Sequence, residues 1–596
     1  MISASRHTKT WVLACLVGLV PLFALGGCGA SDDDFGAGDR DEQVPGGNDA
    51  EANNSGGFNA DAGPGENSQE PPPAEDPDDF EFAQPVIVDH EVYVANKSLN
   101  SVAIIDTRNL GIRSVSTGDR PVEVAGPSAG VDGERRVISL DQGSSTVTII
   151  NPENHQASQQ RVLTGSNRLA TTRDGQVAIT WYDDDQHEDG DRVGDPSAVS
   201  VASEDGSYQM SVGFNVRDIR FDDDGEQVLV ITNDGYSVLE PAALDGDGFA
   251  PPIDPLPPEM ADDYEIRDFE VEMSADGQTA IAHRFDASFI LVTDLDEGET
   301  YTVELPAPPT DLQLAEIDGE MELFAMLRDA GLLLRADFPA GLEEAALQQE
   351  DTDDNGDNGD NGDNGDNGDN GDNGDMPESY EGFHFVELPF EGPGLIEIGG
   401  TEETAMLFST VIDSTEAVIY DLEDDETTTV SFAKNIRGVL PDRLGRTYIV
   451  FHDRDSDLST DGLSPSDPAY MERKYGLTLF DVGTGHKQLL LTDLMADDVA
   501  LWSHDDGPSL AYISYEQPED GEQATEAHHE ILRVNLSSYS SRTFKMSGLP
   551  DGLGVIPEAG KVFINQLHPR GRMTFADVET DRLQTVTGYQ LNAGIQ

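Results

Sequence analysis

Residues 92–118 read VYVANKSLNSVAIIDTRNLGIRSVSTG. The run VYVAN (92–96) is β-branched and aromatic, KSLN (97–100) is a polar turn, and a second apolar run, 102–105, closes on Asp106. A third run, 112–117, stops at Gly118. Strand-formers bounded by turn residues read as successive antiparallel strands. Asp106 is suited to end its strand, because an aspartate carboxylate accepts from backbone amides two residues on. A unit of this size cannot bury its own faces, so it needs copies.

The copies are marked by an apolar stretch closed by a small polar or acidic residue. It stands at 103–106 (AIID), 148–151 (TIIN), 199–203 (VSVAS), 237–240 (SVLE) and 291–294 (LVTD). It continues at 334–337 (LRAD), 418–421 (VIYD), 478–481 (TLFD), 532–535 (LRVN) and 574–577 (TFAD). Intervals of about 40 to 60 residues suit a four-stranded propeller blade plus loop insertions. Most copies have a preceding strand, and several of those follow a tight-turn signal: Asp174-Gly175, Asp224-Gly225 or Asp276-Gly277. Helical patterning is confined to 342–349. The expected fold is all-β, a propeller of four-stranded blades with about ten units. It would close as a single ring of seven to ten blades or as two smaller rings.

VYVANKSLNSVAIIDTRN, together with the later SADGQTA at 274–280, resembles the YVTN-type β-propeller repeats of bacterial surface and periplasmic proteins. The match is good over the first blade; later units keep pattern more than identity. The resemblance implies an extracytoplasmic propeller, and it suggests that the tail 589–595 supplies the innermost strand of the first blade.

The amino terminus agrees with export. Arg6 and Lys9 precede an apolar stretch, 11–25, and then Gly26-Gly27-Cys28. This is a secretory signal, too short and wrongly flanked for a spanning helix. LGGC (25–28) resembles the bacterial lipobox, which makes residues 1–27 a lipoprotein signal peptide and Cys28 the lipidated residue. Cys15, the other cysteine, would leave almost no apolar region if cleavage fell there. Gly29 stands where an inner-membrane retention aspartate would be, so the resemblance implies the cell envelope, at the outer membrane. Residues 28–84 are acidic, Gly-rich and nearly free of aliphatic side chains, an expected disordered tether. As a flexible coil it would span roughly 40 Å. The propeller then occupies 85–350 and 378–596, interrupted at 351–377 by seven Asn-Gly-Asp steps.

Charge bounds the function. The formal net charge of −83 over 596 residues repels phosphate backbones and anionic membranes, which excludes nucleic acid as a partner. With both cysteines inside the first thirty residues, a thiolate metal site or cysteine nucleophile in the folded part is also excluded.

Long insertions are expected mainly on one face, in loops joining second to third strands (183–191, 452–471 and 516–529) or blade to blade (353–375). Only 241–263 is expected on the other. Insertions on one face of a repeat scaffold often mark the binding face. Within them Asp453, Asp455, Asp457 and Asp461 alternate so as to offer calcium ligands, without the glycine and glutamate of an EF-hand. The Asn-Gly-Asp run lacks the apolar positions of a calcium-binding β-roll and reads as a spacer.

Other chemistry is thin. Gly126-Pro127-Ser128-Ala129-Gly130 matches a nucleophile elbow, but a hairpin turn follows it instead of the required helix. His283, His452 and His568 each fall at or just after a second strand, so they could converge near one mouth of the ring and bind copper or another metal, though three such residues over ten units also arise by chance; His528-His529 reads as solvated. No catalytic residues are assigned and no cofactor beyond calcium is expected. The sequence favours a non-catalytic, lipid-anchored propeller binding a protein, glycan or cation through its acidic face. The alternative is a propeller enzyme of lactonase-like or quinoprotein-dehydrogenase-like type.

Overall fold

A computed structural model of the chain describes residues 84–589, apart from short internal stretches of which 354–381 is the longest. The signal peptide, Cys28, the tether and the Asn-Gly-Asp run lie outside the described residues. Ten sheets follow one another along the chain, antiparallel except for one added parallel strand: eight of four strands, one of five and one of three. Each is a meander, as 92–118 suggests, with one short strand ahead of that stretch. Blade one comprises Val86–Val88, Glu91–Asn96, Ser101–Asp106 and Gly111–Ser116.

Burial explains the sequence pattern. Both central strands of blade one, Glu91–Asn96 and Ser101–Asp106, are buried at every residue, because each blade is covered on both faces by its neighbours. A strand covered on both faces reads as a continuous apolar run and not as an alternation. Fourth strands are the exposed ones; in Ala157–Arg161 all but one residue is exposed. First strands of successive blades touch one another, so they form the inner rim.

Side-chain packing alone decides how the blades close. Ten apolar clusters each join one blade to the next. The tenth packs Val92, Val94 and Ile105 of blade one against Phe563, Phe575 and Tyr589 of blade ten. Lys561 Nζ also donates to the Thr107 carbonyl across this seam. The result is one ring of ten blades, which resolves the choice left open by the sequence.

Three expectations are corrected. The tail does not supply blade one's innermost strand: Val86–Val88 pairs with Glu91–Asn96, and blade ten uses the chain through Leu583–Thr587. The Asn-Gly-Asp run does not lie between blades. The helix Ala340–Asp353 precedes it and His384–Glu387, the fourth strand of blade six, follows it, so the described residues on both sides belong to one blade. That helix extends the 342–349 reading and docks Leu342 and Ala345 on the core between blades five and six. The insertion at 241–263 is not a loop added to a complete blade. Blade four has only three strands, and Gly248–Phe249 pairs in parallel with Gly206–Ser211 of blade three.

The turn readings hold in detail. Asp106, Asp294, Asp421 and Asp577 each accept from backbone amides two or three residues on. Gly175 has φ +74°, and a Cβ there would lie 2.1 Å from the Arg136 carbonyl oxygen, so the Asp-Gly turn admits no other residue.

Closure by packing makes a direct prediction. Phe575→Ala, fully buried in the seam, is expected to lower unfolding free energy by about 3–5 kcal/mol in chemical denaturation. A change below about 1 kcal/mol would show that the seam does not hold the ring.

Candidate functional site

In this ring the loops from second to third strand, and from one blade to the next, open on one face, where the first strands begin. Five of the ten first strands shift register at this point, at Pro121/Glu123, Val216/Asp218, Ile436/Gly438, Ala496/Val499 and Pro550/Gly552. A bulge turns a side chain out of the ladder. The residues so displaced include Arg217, Arg437, Asp497, Asp498 and Asp551. Polar groups thereby collect at the mouth of the central channel.

Three inner-strand carboxylates cap a neighbouring blade. Asp498 Oδ2 accepts from Leu553 N at 2.7 Å, Asp311 Oδ2 from Ile396 N at 2.8 Å, and Glu123 from the Leu169 amide. Each satisfies a donor on an inner edge that no further strand covers. Burial pushes Glu123 up to about 7, against the opposing pull of Arg168 and the Leu169 amide. Burial likewise pushes Asp551 up to about 7; the Asn565 amide, donating at 3.2 Å, opposes this, and Asp497 and Asp498 reinforce it. Asp497 and Asp498 are themselves raised, mainly by burial. Blades nine and ten thus hold three carboxylates side by side at the channel.

The predicted calcium ligands are differently engaged. Asp455 accepts from Lys434 Nζ and Asn435 Nδ2, each at 3.1 Å, and Asp453 pairs with Arg437 at 3.5 Å. The Lys434 side chain is fully buried and also donates to the Met471 carbonyl, so a protein cation ties the 453–474 loop where the sequence suggests a metal. Asp461 is exposed, and Asp457 lies outside the described residues.

Nor do the histidines gather. His283 and His452 end second strands of blades five and eight, His568 lies two residues past that of blade ten, and the three form no common ligand group. His452 Nδ1 lies 3.0 Å from the Asn435 carbonyl, which can only accept, so Nδ1 carries the proton and Nε2 accepts from Thr478 Oγ1 at 2.7 Å. His528, expected to be solvated, is buried; its Nδ1 accepts from Thr525 N and caps the turn Glu526–His529. Ser128 sits in the loop between first and second strands of blade two, and among the described residues no helix follows it, as the elbow argument requires.

The same face carries exposed apolar side chains. Leu99, Val193, Phe285, Val411 and Leu458 stand in second-to-third-strand loops of five blades, and Phe214 and Leu491 at or near blade-to-blade loops. Phe285 is 74% exposed and Val193 71%. Of the large apolar residues exposed among the described ones, only Phe249 lies elsewhere. Sequence reasoning found the loops but not these tips, since a lone apolar residue in a loop carries no periodic signal. It also missed Glu123 and Asp551, whose position depends on bulges that leave no mark in composition. A groove of about 700 Å³ opens on the other face, between blades seven and eight. Its Lys487 already lies over the Phe432 and Phe480 rings and donates to the Ser431 carbonyl.

No protein-family model matches the chain, and no curated protein matches it. Among solved structures it is similar to AztD from Citrobacter koseri, at 11% identity and a TM-score of 0.33 over 69% of this chain and 94% of that one. It is similar also to a dihydro-heme d1 dehydrogenase, NirN, in complex with DHE, at 13% identity and TM-score 0.32 over 68% and 73%. A third is Kuenenia stuttgartiensis hydrazine synthase, at 12% and 0.26 over 58% and 93%. Likenesses this distant carry no argument about activity or ligand.

The raised Asp551 has a signed consequence. An unfolded aspartate titrates near pH 4, so between that value and about 7 the folded chain holds a proton that the unfolded chain has lost. Its contribution is therefore complete at low pH and is lost as pH rises through that window. The stability of Asp551→Asn relative to the parent is expected to increase by roughly 3 kcal/mol between pH 4.5 and 8, measured by denaturation at each pH. A pH-independent difference would refute the assignment. His452 acts oppositely: burial holds it down to about 4, so its contribution is complete above the ordinary histidine value near 6.5 and is lost as pH falls below that.

Proposed function

We propose that this protein is an exported, lipid-anchored binding scaffold that engages a protein partner through its loop-bearing face. The observation that carries the reading is the distribution of apolar tips. Exposed Leu99, Val193, Phe214, Phe285, Val411 and Leu458 all stand on one face, set among acidic loops. Scattered single apolar residues need no explanation, whereas a one-sided set rimmed by charge is the pattern of an interaction surface. The charge of that rim favours a partner with basic surface and disfavours anionic lipid. In this reading residues 1–27 direct export, Cys28 carries the anchor, and 28–84 let the ring stand clear of the membrane.

Two measurements test it. Cys28→Ser is expected to move the protein from the membrane to the soluble fraction; unchanged membrane association would refute the anchor. For the face, the combined Leu99→Ser, Phe214→Ser and Phe285→Ser variant is compared with Phe249→Ser, a change off that face, in crosslinking on intact cells. Proteins crosslinked by the parent and by Phe249→Ser should be lost from the triple variant and weakened by salt. Identical crosslinks from all three would overturn the assignment.

The enzyme alternative rests on Asp551, whose carboxyl is poised near neutrality beside Asp497 and Asp498 at the channel. It ranks second because a burial-raised carboxyl also occurs in a strand-capping role, as Asp498 shows.

A further inference from the structure

On the face opposite the loops, the turn that opens blade one brings an imidazole against two buried carboxylates. Glu91 and Asp106 are direct cross-strand partners, 7% and 5% exposed. Like charges in this relation are destabilising, more so when water is removed. The other blades mostly avoid the arrangement: the aspartate that ends the third strand faces Thr279, Thr404, Thr447 or Lys561 in blades five, seven, eight and ten. In blade six Glu322 faces Asp337, but there Asp337 is exposed and Arg335 binds Glu322. Blade one instead adds His90, and one ligand atom each from His90, Glu91 and Asp106 lie within 4.8 Å of one another.

The surrounding bonds leave this trio able to take an ion. No hydrogen bond engages the His90 ring among the described residues, although its backbone carbonyl accepts from Thr107. Glu91 uses one oxygen, Oε2, for Tyr93 OH at 2.9 Å and His155 Nε2 at 2.8 Å. His155 Nδ1 lies 3.0 Å from Arg113 Nη1, and a guanidinium only donates, so His155 must donate from Nε2 to Glu91. Asp106 is held by Arg108 through both oxygens and by Asn109; the Arg108 side chain is 62% exposed, so an ion would displace a solvent-facing ion pair of the kind that contributes little.

We propose that His90, Glu91 and Asp106 bind a divalent transition-metal ion, with His155 orienting Glu91. One imidazole nitrogen with two carboxylates suits zinc and its first-row neighbours, whereas calcium and magnesium want oxygen alone. The ion would add positive charge at the cross-strand pair, where Arg108 binds only Asp106 and does so from an exposed side chain, and the remaining coordination positions would be open to water. A donor to a ligating carboxylate, the place His155 holds, commonly tunes affinity.

The test uses the full chain, stripped with chelator and then titrated with zinc chloride by calorimetry, with thermal unfolding in parallel. One saturable equivalent and a raised melting temperature are expected, because an ion held by the folded state alone stabilises it. His90→Ala should abolish both while leaving the chelator-treated melting temperature unchanged, and His155→Gln should weaken binding by about tenfold. Asp453→Asn, on the opposite face, should bind as the parent does. Cobalt in place of zinc should give a visible absorption band that His90→Ala removes. If His90→Ala is misfolded, His90→Gln gives the same comparison. Zinc bound equally well by the parent and the His90 variant, or no saturable equivalent in the parent, would overturn the proposal.

Discussion

The structure depends on the inability of a single blade to bury both of its faces. A four-stranded meander such as Val86–Val88 through Gly111–Ser116 presents apolar side chains above and below its central strands. Only a neighbour on each side removes them from water. Burial of an aliphatic side chain contributes about 1.5–3 kcal/mol, so the clusters between blades hold most of the stabilising energy. The first and last blades obey the same rule as the others, and the ring closes where Val92, Val94 and Ile105 meet Phe563 and Phe575. No strand need cross the seam.

Closing a ring of sheets leaves every blade with an inner edge strand whose amides find no further partner strand. The chain handles three of these edges with carboxylates from the preceding blade, at Glu123, Asp311 and Asp498. Five bulges at the starts of first strands break the ladder there, and four of them turn charged residues out of it. Buried carboxyls in this region are raised because burial penalises their charge. Their pH dependence is thus a by-product of how the ring's inner rim is finished.

The two faces of the ring differ in kind. One bears second-to-third-strand loops, from the short turn at 97–100 to the 453–474 loop clamped by Lys434, and nearly all the exposed apolar tips. The other bears the hairpin turns, with Gly175 and its equivalents in forced conformations, the helix Ala340–Asp353, and the cluster of His90, Glu91 and Asp106. Strand polarity assigns every loop to a face once the strands are counted. That the Asn-Gly-Asp run interrupts blade six in the sequence, and not a link between blades, follows only from the fourth strand beyond it, HFVE at His384–Glu387. Four residues with one of them buried are too weak a signal to be found across so long an insertion.

By itself the sequence determined the all-β class, the ten units, the second and third strands of each blade and the turn chemistry. These are local: a β-branched run, an aspartate bonding its own backbone, or a glycine with positive φ acts over a few residues. Tertiary structure alone decided that the ten units make one ring, that the seam is closed by side chains and not by the tail, and that blade four lends a strand to blade three. It also decided which side chains meet. Glu91, Asp106 and His155 come from two blades, and Asp497, Asp498 and Asp551 from another two. Such meetings depend on register and on the packing of one blade against the next, and no periodicity along the chain encodes them.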